Sequence, residues 1–568
     1  MAHLNSKDVS IFVAPYSAAA QLVEFEREEH VTAIMGSASC LLFGAEKVLL
    51  EFDWSEKRFK HTDLEKCAFE LGVSENTFSD ICLLCGYSIL PTMPELDADT
   101  NISRLEAAKL MLSRTNNDAY AACASSKDES YQMLFHKARL AVKHAVVMRV
   151  KTLDIVQDNW DSAPSDSHEF VGQRLPHELY YYMIRGLAGP RVLNWRTRME
   201  ILETPPLDGG LSDTYKNLVS NKLVPLRAQS MVIISHLLHR YYQKHDVDLI
   251  CWFNEDQDPK PLNIVDNMDS AKKANNWNVT QDKLPAPPDP AGPPLRYAIH
   301  SLVDENVAKR TKTPRAEGTP AHLSKQSELR PNVIWRFLEQ RGYINADHTL
   351  SKWGHALNAA LHKATMYQAP LDREMEEAIF MAFELLRLGI LNTTTMFNTP
   401  PYSGPPIRGT ETDKKNNLLI SRIACLGTFR HESIGYTGPL SRHLLAYHQV
   451  TAAVRGALRD LVEMHACNMF LSNAVTRDSQ PKDLSDLSFS LPFVEEPDAG
   501  LALLVKSYLD ELSKNIPGVE RMDVAQWFTH AQDIQGDLAK VWRMFESVCS
   551  CLFIPHHAIL FCALDLSC

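Results

Sequence analysis

The chain has 568 residues, of which 45% are hydrophobic and 23% charged, a composition typical of globular proteins. Its net charge of −12 argues against a broad basic surface for nucleic acid, and it has no apolar run of the roughly 18–20 residues that span a bilayer. Because 12 cysteines occur without a secretory pattern at the start, we expect a soluble intracellular protein with reduced thiols and no membrane contact.

Two short motifs flank the first predicted helix. Residues 14–22 read Ala-Pro-Tyr-Ser-Ala-Ala-Ala-Gln-Leu, and residues 33–44 read Ala-Ile-Met-Gly-Ser-Ala-Ser-Cys-Leu-Leu-Phe-Gly. The helix between them carries four glutamates, which we interpret as a solvated acidic face: Glu24, Glu26, Glu28 and Glu29. Apolar runs at 11–13 and 47–52 predict strands of a parallel sheet.

A helix pair is predicted over residues 63–90. Thr62 is a candidate cap for a helix that ends at Gly72, and Ser74 begins the next helix. This second helix leads into a third motif, residues 78–97, which reads Phe-Ser-Asp-Ile-Cys-Leu-Leu-Cys-Gly-Tyr-Ser-Ile-Leu-Pro-Thr-Met-Pro-Glu-Leu-Asp. Cys82 and Cys85 have the spacing of a metal or redox pair, but no second pair accompanies them, so we interpret them as buried helical cysteines.

Helical patterns continue over 103–121 and 131–150, and a polar break follows at 158–170. The second helix carries basic residues with two open interpretations, a phosphate-contacting surface or a solvated face: Lys137, Arg139, Lys143, His144, Arg149 and Lys151. Beyond the break, the tyrosine-rich stretch 174–195 is interpreted as packed core or interface. Three nearby histidines, His236, His239 and His245, form only a weak candidate metal site.

Residues 256–328 are predicted to be a flexible linker, because six prolines crowd the stretch 285–294 and polar residues surround them. A compact basic run inside it supplies the weak nucleic-acid candidates, with contact to RNA, a targeting address and a solvated linker as open alternatives. These candidates are Lys309, Arg310, Lys312 and Arg315.

The remainder of the chain is predicted to be mostly helical. A helix over 332–341 ends at Gly342, and the turn and helix that follow suggest a winged-helix-like module. We therefore predict a mixed α/β fold, mostly α, with a partial parallel sheet followed by helical domains. The predicted domains are 1–155, a helical domain at 170–255, the linker at 256–328, and a C-terminal domain at 329–568.

The three N-terminal motifs together resemble the internal region of the XPG/flap endonuclease family, whose core is a PIN-like parallel sheet. That family has Pro-x-Glu-Ala-Glu-Ala-Gln, then Ser-Glu-Asp-x-Asp-x-Leu-x-Phe-Gly, then Gly-x-Asp-Tyr-x-Pro-x-x-Pro-Gly-x-Gly. The residues in step with this pattern are Pro15, Gln21, Leu41, Phe43, Gly44, Phe78, Asp80, Gly86, Pro91 and Pro94.

The family's metal-binding acids are missing from these motifs. By position, the resemblance places them on Ser17, Ala19, Gly36, Ser37, Ser39 and Ser88. Two-metal nucleases need clustered carboxylates, because hard divalent cations prefer charged oxygen ligands. The family's phosphate-binding Gly-x-Gly turn is replaced by Glu95-Leu96-Asp97, whose acids would repel a phosphate. We therefore predict a pseudo-nuclease with no catalytic residues, no metal and no cofactor.

Three alternatives remain open at this point. The motifs could be a generic helix–strand segment, or an active nuclease or DNA-repair enzyme could use acids elsewhere. The family's N-terminal strand and its metal aspartate also have no counterpart in the sequence, so we expect either a truncated chain or a partner that completes the sheet.

The degenerate nuclease motifs, the stretch Leu179–Trp195 and the helical C-terminal region together resemble the fungal "maintenance of killer toxin" family of post-transcriptional regulators. The resemblance implies a cytoplasmic protein, associated with processing bodies, stress granules or polysomes, that acts on mRNA translation or stability. It also implies an ataxin-type partner that binds poly(A)-binding protein, with mRNA contacted indirectly or weakly.

Overall fold

A computed structural model describes residues 9–552. Its gaps are 98–101, 125, 127, 169–173, 206–212, 255–259, 263–267, 285–291, 314–321, 368–370, 392–418, 432–435, 477–480, 514–526 and 529. The chain forms two compact units. The N-terminal unit is Ile11–Ile184, and the C-terminal unit contains Arg185–Cys568.

The N-terminal unit contains a three-stranded mixed sheet and a two-stranded sheet. The strands are β1 (Ile34–Met35), β2 (Lys47–Asp53), β3 (Arg58–Asp63), β4 (Val146–Met148) and β5 (Ile155–Gln157). β1 pairs with β2 in parallel, whereas β2–β3 and β4–β5 are antiparallel. The prediction of a parallel sheet is therefore correct for one pair only, because a short turn joins β2 to β3 and forces them to run in opposite directions. Residues 11–13 form no strand.

Helices surround these strands, and their ends follow the capping residues of the sequence. They are α1 (Ala18–Arg27), α2 (Leu64–Leu71), α3 (Glu75–Leu84), α4 (Arg104–Arg114), α5 (Ala119–Cys123), α6 (Glu129–Lys143) and α7 (His177–Ile184). Asp63, one residue after the predicted Thr62, caps α2, and Ser74 caps α3 as predicted. Gly72 ends α2 at φ 65°, a left-handed conformation that glycine adopts without strain. The core between the helices includes Ile81, Leu84 and Phe135.

The C-terminal unit is largely helical. Its sheet has the order β6 (Glu200–Glu203), β7 (Val247–Cys251), β8 (Lys260–Leu262), with β6–β7 parallel and β7–β8 antiparallel. The helices are α8 (Pro190–Arg198), α9 (Asp213–Leu218), α10 (Val224–Ser235), α11 (Arg240–Lys244), α12 (Met268–Ala274), α13 (Pro294–His300), α14 (Glu305–Lys312), α15 (Gln326–Gln340), α16 (Lys352–Tyr367), α17 (Arg373–Arg387), α18 (Arg442–Leu471), α19 (Pro481–Ser490), α20 (Gly500–Ser513) and α21 (Ile534–Leu552).

Helix α18 is the centre of this unit. It has 30 residues, most of them buried, and it packs against α10 and α15. A helix that is buried on nearly every side must itself be apolar or carry paired polar groups. Asn468 meets this need by donating from Nδ2 to the carbonyl of Ile233 at 3.0 Å. The mostly α fold with small mixed sheets agrees with the predicted fold class.

The prediction of a flexible linker at 256–328 is wrong for the described part of that stretch. Helices α12, α13 and α14 lie within it, and Pro294 begins α13 in the first helical turn, where proline is tolerated. Trp277 is completely buried, stacks on Trp335 with ring centroids 5.2 Å apart, and donates from Nε1 to Glu339 at 2.6 Å. Apolar side chains too widely spaced to form a periodic pattern nevertheless reach a shared core.

The compact units also divide the chain differently from the predicted domains. The division falls before Ile11 and again between residues 184 and 185, so the described residues of three predicted domains share one unit from Arg185 onward. Helix α15 ends before Gly342 at φ 73°, as predicted.

After residue 325, the β structure of the described residues is limited to isolated bridges, including Ile344–Leu350, so they lack the wing that a winged helix requires. No helix of the described residues is long and apolar enough to cross a bilayer.

Candidate functional site

The first two candidate metal positions lie at the beginning of α1. Ser17 is the N-cap residue of this helix, and its hydroxyl accepts the N–H of Ala20 at 3.4 Å. Ala19 is partly buried against the core of the N-terminal unit. Gln21, one turn further along α1, accepts the N–H of Met148 and donates to its carbonyl, both at 2.9 Å. Gln21 therefore attaches α1 to β4, while Ser17 and Ala19 offer no carboxylate.

The second set of candidate positions lies after β1. Gly36 and Ser37 are exposed, and Ser37 caps a short 3-10 helix, Ala38–Phe43, by accepting the N–H of Ser39 at 3.2 Å. Gly44 ends this helix at φ 91°. A local cap thus engages the hydroxyl of Ser37 and the backbone N–H of Ser39, in the way that serine commonly begins a helical turn.

Ser88, the last candidate position, is exposed in a tight turn. Reciprocal backbone bonds between Tyr87 and Leu90 close this turn at 2.8 and 2.9 Å. Gly86 precedes it at φ 105°, and a Cβ at Gly86 would lie 2.8 Å from the hydroxyl oxygen of Thr92. Glycine is therefore required at Gly86 for backbone reasons alone. The ring of Tyr87 packs edge-on against Phe43, which joins the second and third motifs.

The four glutamates at 24–29 were predicted to form a solvated face. Two of them, Glu24 and Glu28, form ion pairs instead. Glu24 is only 1% exposed and accepts two bonds from the guanidinium of Arg149, at 2.8 and 3.0 Å. Glu28 is half-buried and pairs with Lys151 at 2.5 Å, and its hydrogen bond to that lysine lowers the pKa of Glu28. The solvated-face interpretation is wrong for Glu24 and Glu28, because their basic partners lie more than 100 residues away in sequence, whereas Glu29 is exposed as predicted.

Asp80 is likewise committed to an ion pair. It is 4% exposed and accepts from Arg139 at 2.9 and 3.3 Å, with Lys143 at 3.5 Å. Burial lowers the pKa of Lys143, and Asp80 opposes that effect. These contacts, with those of Arg149 and Lys151, account for most of the basic residues that the sequence offered as a phosphate-contacting or solvated helix face.

The acids that replace the phosphate-binding turn also have partners. Asp97 accepts from Arg104 at 2.6 and 3.1 Å, and Glu95 accepts from the hydroxyl of Ser126 at 3.1 and 3.2 Å. Both acids lie in a short 3-10 helix, Pro94–Asp97. Both acids of the turn are therefore engaged by side chains of neighbouring segments.

The other candidate metal ligands do not converge. Cys82 and Cys85 are free thiols, and burial raises their pKa values to about 12 and about 11, which disfavours thiolate formation. His239 accepts the N–H of Tyr241 at 3.2 Å, and the ring of His245 stacks on Tyr241 at 4.1 Å. Within the described ranges, no group of three or more His, Cys, Asp or Glu residues is placed to hold a metal ion.

The basic run of the predicted linker belongs to helix α14. Lys309 and Arg310 are exposed on it, and Lys312 donates to Asn276 at 3.1 Å and to the carbonyl of Ala346 at 2.8 Å. Thr311 is buried and hydrogen-bonds to His348. Arg315 lies outside the described residues. All three cations of this helix are exposed, but Lys312 is engaged in these structural contacts.

Comparisons with known families agree with this arrangement of motifs and helices. Two models of one family, described as "Temperature dependent protein affecting M2 dsRNA replication", match residues 164–253 (MKT1_N) and 336–560 (MKT1_C), together more than half of the chain. The chain belongs to the MKT1 family. A further model, the XPG I-region, matches residues 8–88. Both predicted resemblances are therefore confirmed.

Three relatives are named post-transcriptional regulator MKT1. The protein of Cryptococcus neoformans is 27% identical over 89% of this chain and 68% of its own length. The Schizosaccharomyces pombe protein is 23% identical, over 90% of this chain and 71% of its own. For the Saccharomyces cerevisiae protein the identity is 19%, with coverages of 89% and 69%.

The sequence did not predict the ion pairs that Glu24 and Asp80 form in this MKT1-family protein. Their partners are separated by 59 residues for Asp80 and Arg139 and by 125 residues for Glu24 and Arg149. No local spacing rule links such residues. The available signal was a run of acids at 24–29 and a run of bases at 137–151, which indicates complementary charge without assigning pairs.

Proposed function

We propose that this protein is a non-catalytic post-transcriptional regulator that acts as a protein-interaction scaffold on mRNA. One observation carries the proposal: the XPG-like frame keeps its structural residues, while the positions of the metal ligands hold serine, alanine or glycine. Two-metal hydrolysis requires carboxylates that hold both cations a few ångströms apart. Two buried acids of the same unit, Glu24 and Asp80, are engaged by arginines instead.

Charge supports the same proposal. Arg149 beside Glu24, and Arg139 with Lys143 beside Asp80, place fixed cations where a metal site would need free carboxylate oxygens. A divalent cation at either acid would be repelled by these neighbours and would have to displace a hydrogen-bonded guanidinium. These ion pairs therefore favour a structural role for the frame over metal binding.

The function in RNA regulation is supported by the relatives, which are named post-transcriptional regulators. We extend it to a partner of the ataxin type that binds poly(A)-binding protein, so that mRNA is contacted indirectly or weakly. The corresponding location is the cytoplasm, in processing bodies, stress granules or polysomes. The net charge of −12 favours contact through a protein over direct binding to RNA.

A tethering assay tests the regulatory proposal. The full chain is fused to an RNA-hairpin-binding peptide and expressed in fungal cells with a reporter mRNA that carries the hairpins. We expect the reporter's protein output or mRNA half-life to change, and no change for the same reporter without hairpins. An unchanged reporter would contradict the proposal. Substitution of Glu24 and Asp80 to amides serves as a further arm, which tests for a contribution from nuclease activity.

The partner is tested by affinity purification of the full chain from fungal lysate, with and without RNase. Recovery of the ataxin-type protein and poly(A)-binding protein after RNase is the expected result, because a protein contact survives loss of RNA. Loss of both with RNase would mean that RNA carries the association. Recovery of DNA-replication or repair factors in their place would contradict the post-transcriptional role.

The second candidate function is an XPG/flap-type endonuclease or a DNA-repair protein. The match of residues 8–88 to the XPG I-region is the observation that favours it. It requires metal-dependent cleavage by the full chain, and cleavage is the measurement that separates the two candidates.

A further inference from the structure

A groove with a volume of about 450 Å³ opens on the surface of the C-terminal unit. One wall is the first turn of α17, beginning at Arg373, and another is the segment around Leu426 and Thr428. The third wall is residues 489–497, which we call the 489–497 strap. The groove is separate from the XPG-like motifs, and no role for it follows from the family match.

Basic side chains hold the 489–497 strap by its backbone carbonyls. Four such residues, projecting from α17 and α18, donate to four different carbonyls of the strap. The pairs are Arg373 to Phe489 at 2.5 Å, Arg455 to Glu495 at 2.9 Å, Arg459 to Pro492 at 2.9 Å and His448 to Pro497 at 2.7 Å. This wall is therefore preformed, which lowers the entropy cost of binding a ligand.

Phe493 anchors the middle of the strap. It is 4% exposed, and its ring packs against Phe337 at 6.0 Å and Phe380 at 5.7 Å. Its φ of 67° lies in the left-handed region, which a phenylalanine adopts only when its surroundings hold it there. The next residue, Val494, is turned outward and is 42% exposed on the groove.

The groove combines an apolar floor with an acidic rim. Leu426, Phe489, Val494 and Pro497 supply apolar lining. Glu374 and Glu495 are exposed on the rim, and Thr428 donates to Glu374 at 2.9 Å.

In the part of the chain that the structure describes, neither rim carboxylate forms an ion pair with a lysine or arginine. The arginines of the wall are engaged elsewhere, since Arg373 and Arg455 both bind Glu377 as well as strap carbonyls. The rim therefore has two carboxylates available to a ligand, beside an apolar surface. Such a surface is complementary to a chain segment that presents a cation next to an apolar side chain.

We propose that this groove binds a short segment of a partner protein that carries an apolar side chain beside a lysine or arginine. The apolar side chain lies on Leu426, Phe489 and Val494, and the cation lies between Glu374 and Glu495. This inference rests on the proposed scaffold function and assigns it one binding surface.

The test selects peptides with the full chain as bait. A phage-displayed library of random linear peptides is panned on the immobilised protein, and the selected peptides are measured by fluorescence anisotropy. We expect them to share a Lys or Arg beside an apolar residue. Their affinity should fall by about tenfold or more for Val494→Asp with Glu495→Lys, because the variant loses apolar contact and reverses a rim charge.

The matched control is Val303→Asp with Glu305→Lys, on the exposed surface near α14, where Val303 is 43% exposed. It makes the same chemical changes outside the groove, and the peptides should bind it as they bind the unaltered chain. Melting curves of both variants check that each remains folded. Failure to select peptides, selection of acidic peptides, or equal binding to the groove variant would overturn the inference.

The tethering assay separates this inference from the proposed function. The groove variant and the unaltered chain could bind the peptides with equal affinity while the tethered chain still alters its reporter. In that case only the groove assignment fails. If peptides bind in the groove but the tethered chain has no effect, the regulatory function fails and the binding site remains.

Discussion

At the scale of single residues, the XPG-like motifs keep residues that the fold needs, while serine, alanine or glycine stands at the positions that the resemblance assigns to metal ligands. Gln21 bonds to both backbone groups of Met148, Gly86 occupies a conformation that excludes other residues, and Asp80 holds Arg139. The sequence predicted the loss of ligands at Ser17, Ser37 and Ser88 because each is a matter of residue type. It could not predict the partners of Glu24 and Asp80, because those contacts exist only in the folded chain.

The ion pair of Asp80 should contribute substantially to stability. Asp80→Ala leaves Arg139 and Lys143 partly buried without their counter-ion, so we expect the free energy of unfolding to fall by about 2–4 kcal/mol in urea denaturation. Asp97→Ala is the control, since Asp97 also pairs with an arginine but both side chains are 55% exposed. Its loss should be much smaller. Equal losses would show that burial of Asp80 does not matter.

Glu376 should make stability depend on pH in the opposite sense to most carboxylates. Burial raises its pKa to about 8, and its carboxylate accepts the N–H of Arg296 at the start of α13. The folded chain therefore keeps a proton that the unfolded chain releases above its usual carboxyl pKa. The contribution of Glu376 to the free energy of unfolding is present below that unfolded pKa and is lost as pH rises toward about 8.

Glu376→Gln removes this dependence, because glutamine keeps an acceptor oxygen and has no charge to bury. Between about pH 5 and about pH 8, we expect the unaltered chain to lose on the order of 2 kcal/mol more than the variant. The slopes of the free energy of unfolding against pH are compared instead of its absolute values, since the amide group also changes local packing. Other buried groups titrate equally in both proteins and cancel in the difference. Parallel pH curves would contradict a protonated Glu376.

At the scale of elements, capping residues and helical periodicity predicted many helices but not the structure of 256–328. Ser74 and Gly342 mark helix ends as expected, because capping is a local interaction. Helices α12, α13 and α14 have only seven or eight residues, too few for a clear periodic pattern beside a proline cluster. Their stability comes from tertiary packing, which the sequence does not display.

Trp277 tests whether this stretch is part of the core. Trp277→Ala removes its stack with Trp335 and its hydrogen bond to Glu339, so we expect a loss of about 3–5 kcal/mol in the free energy of unfolding. The variant should also be cleaved faster between α12 and α14 in limited proteolysis. Trp54→Ala is the matched control, because Trp54 is 81% exposed and should change little. If residues 256–328 were a linker, Trp277→Ala would change the free energy of unfolding as little as Trp54→Ala does.

At the scale of the whole molecule, fold class was easier to predict than the division of the chain. Composition and periodicity gave a mostly α fold, but four predicted domains correspond to two compact units. The long helix α18 of the predicted C-terminal domain explains part of the difference, because it packs with α10, which lies in the predicted domain at 170–255. Contacts between segments that are distant in sequence cannot be inferred from linker composition alone.

In the proposed function, the XPG-like frame supports regulation without catalysis. The most direct test incubates the purified full chain with 5′-flap DNA and with single-stranded RNA, in Mg²⁺ and in Mn²⁺. The Glu24→Gln, Asp80→Asn double variant serves as the matched control for contaminating nuclease. We predict no cleavage above that control with either metal. Metal-dependent cleavage that the double variant abolishes would contradict the claim and establish an active nuclease.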